Sequence, residues 1–451
     1  MSDEVLKSEH KIGSLWLGMD FYLVICDPDV IDNLSKECLE KPEIVSILGR
    51  FLTGNGTIFA PANIWRTRRK LMMPSFSQKN LNNFVNVFSQ CSIATAARLK
   101  AKCDGGDFSV WSYFITYSMN AICETGLGLR GQAKAENNAK LLEAFEEYIN
   151  CASDLAFRPW CYVVESIFRR TADHKTLTKN KNIMTNIINE IIQDKRNKIR
   201  ESGNKLRSDG GKLTKGDTDF SILDYLLENY GDTMTDLELL EEILVLAVGG
   251  TDTSTVAVCF TAILLSKHPD VQEKVYQEVK EVMGDTIRPI DYNDLPKLKY
   301  LEAVLKEALR LYPSAPFVGR LVDKDVTLPS GKFIPKGTTV GFNMWGMHRH
   351  PKYWGDDPER FDPERFINPN ITHPVAYIPF SYGPRNCIGG KYAMLSLKTL
   401  LATLLSRYEI LPPASLPPDQ PFRIEYKIML KDVNNFQIRL KKRELECKLT
   451  K

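Results

Sequence analysis

The chain has 451 residues, 43% of them hydrophobic and 25% charged, which excludes a disordered or collagen-like chain and supplies ample core. A formal net charge of +3 is too small for a protein built to grip nucleic acid, so any basic function has to come from local patches. Ten cysteines are scattered from Cys26 to Cys447 with no C-x-x-C pair, which excludes a disulfide framework and reads as reduced thiols in a cytosol-facing compartment.

Residues 1–20 carry Lys7, Glu9, His10 and Lys11, so they offer neither a signal peptide nor a membrane anchor. Trp16–Cys26 reads as two short strands, closed by Asp27-Pro28-Asp29 before a helix. The run from Gly54 to Pro61 is punctuated as a loop, followed by the basic segment Trp65-Arg66-Thr67-Arg68-Arg69-Lys70. Residues 80–200 are mainly helical by periodicity, including Phe84–Ala101, Tyr113–Glu124 and Ile183–Arg200. Gly126-Leu127-Gly128-Leu129-Arg130-Gly131 matches the dinucleotide-binding G-x-G-x-x-G. It follows a helical segment instead of a strand, and so reads as a helix-terminating glycine turn.

Residues 201–218 are the most polar segment and read as an exposed linker between helices. The next helix opens on Thr235 and Glu238, the capping-box spacing, and stops at Pro269. Within it Ile243–Ser266 is long enough to cross a bilayer, but Asp252 at its centre is costly there, so it reads as the buried axis of a soluble domain. A helix from Pro296 to Leu311 ends at Pro313. Val326–Leu328 and Lys332–Pro335 pair across a Ser330-Gly331 turn, and Tyr426–Leu430 is expected to form a hairpin with Asn435–Leu440. The fold class is mainly α with minor β-sheets.

Chemistry concentrates at Cys387. Gly383 and Pro384 forbid regular structure just before it, and a helical pattern starts at Ile388. That puts Cys387 near a helix N-terminus, where the dipole and free N–H groups favour a thiolate, and Arg385 adds positive charge. Phe380-x-x-Gly383-x-Arg385-x-Cys387-x-Gly389 resembles the signature of the cytochrome P450 superfamily, and its five positions coincide by chance roughly once in ten thousand chains of this length.

Further segments resemble the same family, in the same order along the chain. Glu307-Ala308-Leu309-Arg310 and Phe361-Asp362-Pro363-Glu364-Arg365-Phe366 are similar to its Glu-Arg-Arg network, here Glu307, Arg310 and Arg365, which braces the cysteine loop. Gly249-Gly250-Thr251-Asp252-Thr253-Ser254 resembles its oxygen-activating turn. There Gly249 and Gly250 are expected to open a groove over the haem, and Asp252 and Thr253 to relay protons as a hydrogen-bonded acid–alcohol pair. Trp65, Arg69, Arg320 and Arg385 correspond to residues that hold haem propionates.

The resemblance implies the helical P450 fold, one catalytic domain over 1–451 that lacks the family's membrane anchor and hinge, and haem b held through a Cys387 thiolate. It implies a monooxygenase of the animal microsomal type, on the insect and fatty-acid-hydroxylating side, located on the cytosolic face of the endoplasmic reticulum. Gly249 stands where many of that group have a glutamate that esterifies haem, which argues against a covalent link. The residues read as holding no flavin domain, so a separate NADPH-cytochrome reductase is the expected electron source, with cytochrome b5 expected as a second donor. Arg66, Arg68, Lys70 and Lys391 are candidates for its docking face. Phe59, Ala247, Val248, Phe317, Val318 and Met429 fall where family members contact an apolar small-molecule substrate, and the segment Leu155–Phe168 is a candidate for bilayer contact. A monomer is expected. Two alternatives remain at this stage: a thiolate-haem isomerase or dehydratase acting on peroxides, and a non-catalytic haem- or ligand-binding protein.

Overall fold

The computed structural model describes residues 5, 11–17, 20–129, 132–162, 164–209, 221–284, 288–369, 371–417 and 420–443. Strands β1 (Ile12–Leu17) and β2 (Asp20–Ile25) form an antiparallel hairpin. Helix α1 (Pro28–Glu37) follows at once, because the Asp27 side chain accepts the N–H groups of Asp29 and Val30 and proline opens the first turn. Then come α2 (Glu43–Thr53), α3 (Ala62–Met72), α4 (Gln78–Leu99), the short β3 (Phe108–Ser109), α5 (Trp111–Leu127), α6 (Gln132–Ala156) and α7 (Ala172–Asp209).

Helix α5 ends as expected on a left-handed Gly128, with φ of +72°, so the glycine-rich run terminates a helix; Arg130 and Gly131 lie outside the described residues. The expected linker at 201–218 is corrected in its first half. Helix α7 runs on through Asp209, since extending an existing helix adds a hydrogen bond per residue without needing an apolar face. Residues 210–220 lie outside the described residues.

After α8 (Ile222–Tyr230) comes α9 (Asp236–Lys267), 32 residues opened by the reciprocal Thr235–Glu238 capping box. Among the described residues it is the one helix long and apolar enough to cross a membrane, yet 72% of its apolar window is buried within the protein. It is the axis of the helical core, as its sequence implied.

Helices α10 (Pro269–Met283) and α11 (Lys299–Leu311) lead into β4 (Phe317–Leu321), the small hairpin β5 (Val326–Thr327) and β6 (Phe333–Ile334), and β7 (Thr339–Asn343). The larger sheet has the order β1-β2-β7-β4, with β2 parallel to β7. Helix α12 (Gly390–Leu405) is followed by β8 (Tyr408–Leu411), β9 (Ile424–Tyr426), β10 (Leu430–Asp432) and β11 (Gln437–Lys442).

The expected C-terminal hairpin is mispaired in the sequence reading. β9 folds back on β10 through a turn at 427–429, while β11 pairs with β8 and β3. Alternation at Ile438 and Leu440 identifies a strand, but it carries no information about which edge receives it.

Two cores result. A large one joins α4, α5, α6, α7, α9, α11 and α12, and a smaller one lies between α1 and the sheet. The cysteine loop runs along their junction. Ile378 and Tyr382 pack on the smaller core, and Phe380 and Ile388 on the larger.

Candidate active site

The cysteine loop is held by its own backbone. Cys387 N–H donates to Phe380 C=O at 2.9 Å, Asn386 N–H to Gly383 C=O at 3.1 Å, and Ser381 N–H to Ile378 C=O at 2.9 Å. Gly383 has φ of +77°, and a Cβ there would sit 2.7 Å from the Ser35 carbonyl oxygen, so only glycine fits. Gly389 presents its N–H to the sulfur and caps α12, with its own Cβ position 3.9 Å from Sγ.

The expected helix-end contribution is present as the Gly389 N–H, and desolvation opposes it. Cys387 is accessible on its loop, yet protein surrounds the sulfur closely enough that desolvation pushes the thiol up. The Gly389 N–H and Arg69 offset only part of this. Such a sulfur becomes a thiolate when a cation replaces its proton, which is what metal ligation does.

The loop's brace is present. Glu307 and Arg310, both 0% exposed, are joined by two hydrogen bonds of 2.6 and 2.8 Å. Arg365 stands 3.5 Å from the same carboxylate and also ties to the Trp354 and Asp357 carbonyls. Arg310 further donates to the carbonyls of His348, Pro358 and Arg360.

His348 was not anticipated, and it carries the connection onward. Its Nε2 accepts the Ile378 N–H at 3.0 Å, so Nδ1 holds the proton and faces the Arg310 carbonyl. Burial and the neighbouring Arg310 push His348 down to about 3, which keeps the ring neutral. The brace thus reaches the residue on which the cysteine loop hangs.

On the sheet side, cations converge. Arg320 on β4 is 0% exposed, lies over the Phe342 ring, and donates Nη1 to Gly319 C=O, while its Nε and Nη2 have no partner among the described residues. Burial and the nearby Arg385 push it down to about 9. Lys41, which sequence reasoning missed, is pushed down by desolvation and by both arginines.

Arg385 is pushed down to about 10, chiefly by burial, and donates to the carbonyls of Leu39, Thr57 and Ala60 while stacking over Trp65. Arg69 takes both the backbone and side-chain oxygens of Asn386, at 2.8 and 2.7 Å. Trp65, Arg69 and Arg385 therefore position the loop, whereas Arg320 has orphaned donors. Two unpartnered guanidinium nitrogens at full burial, among other cations, fit the carboxylates of a haem, and Cys387 supplies the soft ligand its iron takes.

The distal helix differs from expectation in two respects. A Cβ on Gly250 would lie 2.4 Å from Ile122 Cδ1, so that glycine seats α5 and does not open a groove. A Cβ on Gly249 would meet, among the described residues, Ile58 Cδ1 at 3.4 Å. Thr253 Oγ1 donates to Gly249 C=O at 2.5 Å, while Asp252 pairs with Lys431 at 2.7 Å. The acid and the alcohol are adjacent but not hydrogen-bonded to each other, because neighbouring helical residues point about 100° apart.

Of the expected pocket walls, the Phe59 ring packs over Gly49 and the Phe317 ring over Gly341. Val318 packs on the smaller core. Val248 and Met429 pack on the larger one, and Ala247 lines a small apolar cavity with Met119, Ile122 and Met184. Arg68 leaves the proposed docking face. It is buried against Glu241 at 2.6 Å and Glu242 at 3.5 Å, while Arg66, Lys70 and Lys391 remain exposed.

That buried cluster has a measurable consequence. Burial pushes Glu242 up to about 7, against the hydrogen bonds from Thr57 and the charge of Arg68. The native state then holds this proton more tightly than the unfolded chain does. Its stabilisation is complete below the ordinary carboxylate range and is lost as pH rises through about 7, by ~3 kcal/mol in all. Urea unfolding from pH 4 to 8 is expected to show this slope in the wild type and a flatter one in Glu242→Gln.

The family profile described as Cytochrome P450 matches residues 3–437. The chain belongs to the cytochrome P450 family. It is 32% identical to "Cytochrome P450 4d8" of Drosophila melanogaster, over 98% of this chain and 96% of that one. It is 31% identical to "Probable cytochrome P450 4s3" of the same organism, over 97% and 87%. With "Cytochrome P450 4V2" of Homo sapiens it shares 30% identity over 96% and 82%. The protein is an animal-type haem-thiolate monooxygenase that binds haem b, uses dioxygen and a small-molecule substrate, and takes electrons from a redox partner. The peroxide isomerase and non-catalytic alternatives are not favoured.

Proposed function

We propose that residues 1–451 act as one P450 catalytic domain in which Cys387 would hold the haem iron as a thiolate and Asp252 and Thr253 deliver protons. The observation that carries the assignment is the Cys387 loop hung, through Ile378 and His348, on the buried Glu307–Arg310 pair. Haem, when bound, supplies dioxygen activation, which a thiolate ligand promotes by donating electron density to iron.

The chain's residues have separate tasks. Arg320 would hold the carboxylates of the cofactor, and Trp65, Arg69 and Arg385 hold the cysteine loop. Phe380, Gly383 and Gly389 shape that loop. Gly249 and Ile58 border the distal side, and the apolar character of Ile58, Ile122, Ala247 and Val248 favours an apolar substrate that excludes water.

Thr253 Oγ1 passes a proton inward, and Asp252 replenishes it from solvent. Thr253→Ala should lower product formed per NADPH consumed by about tenfold, with hydrogen peroxide rising in compensation. Unchanged product yield would remove Thr253 from the reading.

The electron donor in this reading is a membrane-bound NADPH-cytochrome reductase, with cytochrome b5 as an auxiliary, at the cytosolic face of the endoplasmic reticulum. The protein acts as a monomer. Exposed Lys70 and Lys391 are offered as cationic contacts for an acidic flavoprotein. Reversing both charges should slow reductase-supported reduction by about tenfold, more at low salt than at high. Reduction by dithionite should not change.

A further inference from the structure

Apart from the residues assigned to haem, a cavity of about 30 Å³ lies between the last turn of α9, the connection from β8 to β9 and the start of β11. Asp432, the last residue of β10, lines it and is 8% exposed. Its Oδ2 accepts the Phe436 N–H at 2.8 Å, while Oδ1 has no partner among the described residues. A carboxylate oxygen buried without a donor is costly, and burial pushes this carboxyl up, with the Lys267 charge offsetting part of the effect. Gln420, Asn434 and Gln437 line the same cavity, and none of their three side-chain amides hydrogen-bonds to another described residue. Pro412, Pro417 and Phe422 supply an apolar wall.

This donor set selects the occupant. The Asp432 charge repels an anion. A divalent metal ion is disfavoured, because among the described residues Asp432 is the one carboxylate lining the cavity and no group of three metal-ligating side chains comes together. Lys267 shows what the neighbourhood accepts: its Nζ donates to the Gln420 carbonyl and lies 4.6 Å from the centroid of the Phe422 ring. An ammonium on a short carbon chain finds an acceptor for its charge at Asp432, further acceptors in the amide oxygens, and proline and phenylalanine carbons for its chain. We propose that this cavity binds a small primary alkylammonium ion, whose N–H groups donate to Asp432 Oδ1 and to the side-chain oxygens of Gln420, Asn434 and Gln437. The site takes no part in the monooxygenase reaction, yet β10 joins it to the distal helix. Leu430 N–H donates to the Ser314 carbonyl at 3.1 Å, and Ser314 Oγ to the Thr253 carbonyl at 2.8 Å.

The test uses the holoenzyme, reduced and saturated with carbon monoxide so that its iron is already occupied, and labelled ethylammonium as the probe. Equilibrium dialysis should give one saturable equivalent with a Kd of about 1–10 mM, the range open to a ligand of so few atoms. Tetramethylammonium, a cation without N–H groups, should fail to displace it, as should potassium chloride at the same ionic strength. Asp432→Asn keeps an oxygen for the Phe436 N–H and should weaken binding at least about tenfold. Gln437→Leu and Phe422→Leu should each weaken it about threefold. Absence of a saturable equivalent, displacement by tetramethylammonium as readily as by ethylammonium, or an unchanged Kd in Asp432→Asn overturns the site. Where Asp432→Asn does not retain haem, the other two variants decide, and unchanged binding in both overturns it equally.

Discussion

Cys387→Ala protein is expected to fold, and to lose the thiolate Soret band of its reduced carbon monoxide complex together with at least about a thousandfold in turnover. The two halves of this outcome have separate causes. The loop's shape is set by the Phe380–Cys387, Gly383–Asn386 and Ile378–Ser381 backbone hydrogen bonds and by the left-handed Gly383, none of which uses the sulfur. Folding should therefore survive. Removing the sulfur takes away the soft donor that Cys387 presents where the two main cores meet. Cys387→Ser keeps the size and restores little, because an alcohol is a far weaker anionic ligand than a desolvated thiol whose proton a metal displaces. An absorption spectrum that retains the thiolate band in Cys387→Ala would move the ligand to another cysteine.

The second large effect is expected at Glu307. Glu307→Ala leaves Arg310 charged, fully buried and without its carboxylate, a loss of about 3–5 kcal/mol. Removing both charges together, as Glu307→Met with Arg310→Met, should cost less than either single change, since no uncompensated ion remains. Arg365→Ala should cost only ~1 kcal/mol, because its contact to Glu307 is 3.5 Å and its side chain is partly exposed. Urea unfolding measures all three. The fraction of protein recovered with haem gives a second readout, because Arg310 holds the His348 carbonyl and His348 holds the Ile378 N–H at the entrance to the cysteine loop. Equal losses for Glu307→Ala and the double variant would show that packing, not the ion pair, sets the cost.

Much of this architecture was legible in the residues. Asp27, the Thr235–Glu238 capping box and Gly128 mark helix ends through contacts within three or four residues, so local chemistry suffices to place them. The cysteine loop was equally readable, since its glycines and proline leave the backbone few alternatives. The central helix resolved an apparent ambiguity. Its apolar length suits a bilayer, but its charge at position 252 suits a protein interior, and burial among other helices settles the matter.

What could not be read depends on partners distant in sequence. Nothing local distinguishes Arg68, which ends buried against Glu241 and Glu242, from its exposed neighbours Arg66 and Lys70. Nothing local assigns His348 to the brace, Lys41 to the cation cluster or Lys431 to Asp252, 179 residues away. The C-terminal strands were recognised but given the wrong partner for the same reason. Alternation defines a face, while pairing is chosen by which edges the rest of the fold leaves open. By itself the sequence determined the family, the thiolate candidate, the helix ends at Asp27, Thr235 and Gly128, and the members of the Glu-Arg-Arg brace, because each is written in short spacings. Only the tertiary structure decided that Gly383 packs on the Ser35 carbonyl, that Gly250 seats Ile122, and that Asp252 faces Lys431 and not Thr253. Burial and long-range contact are properties of the packed chain, and no spacing encodes them.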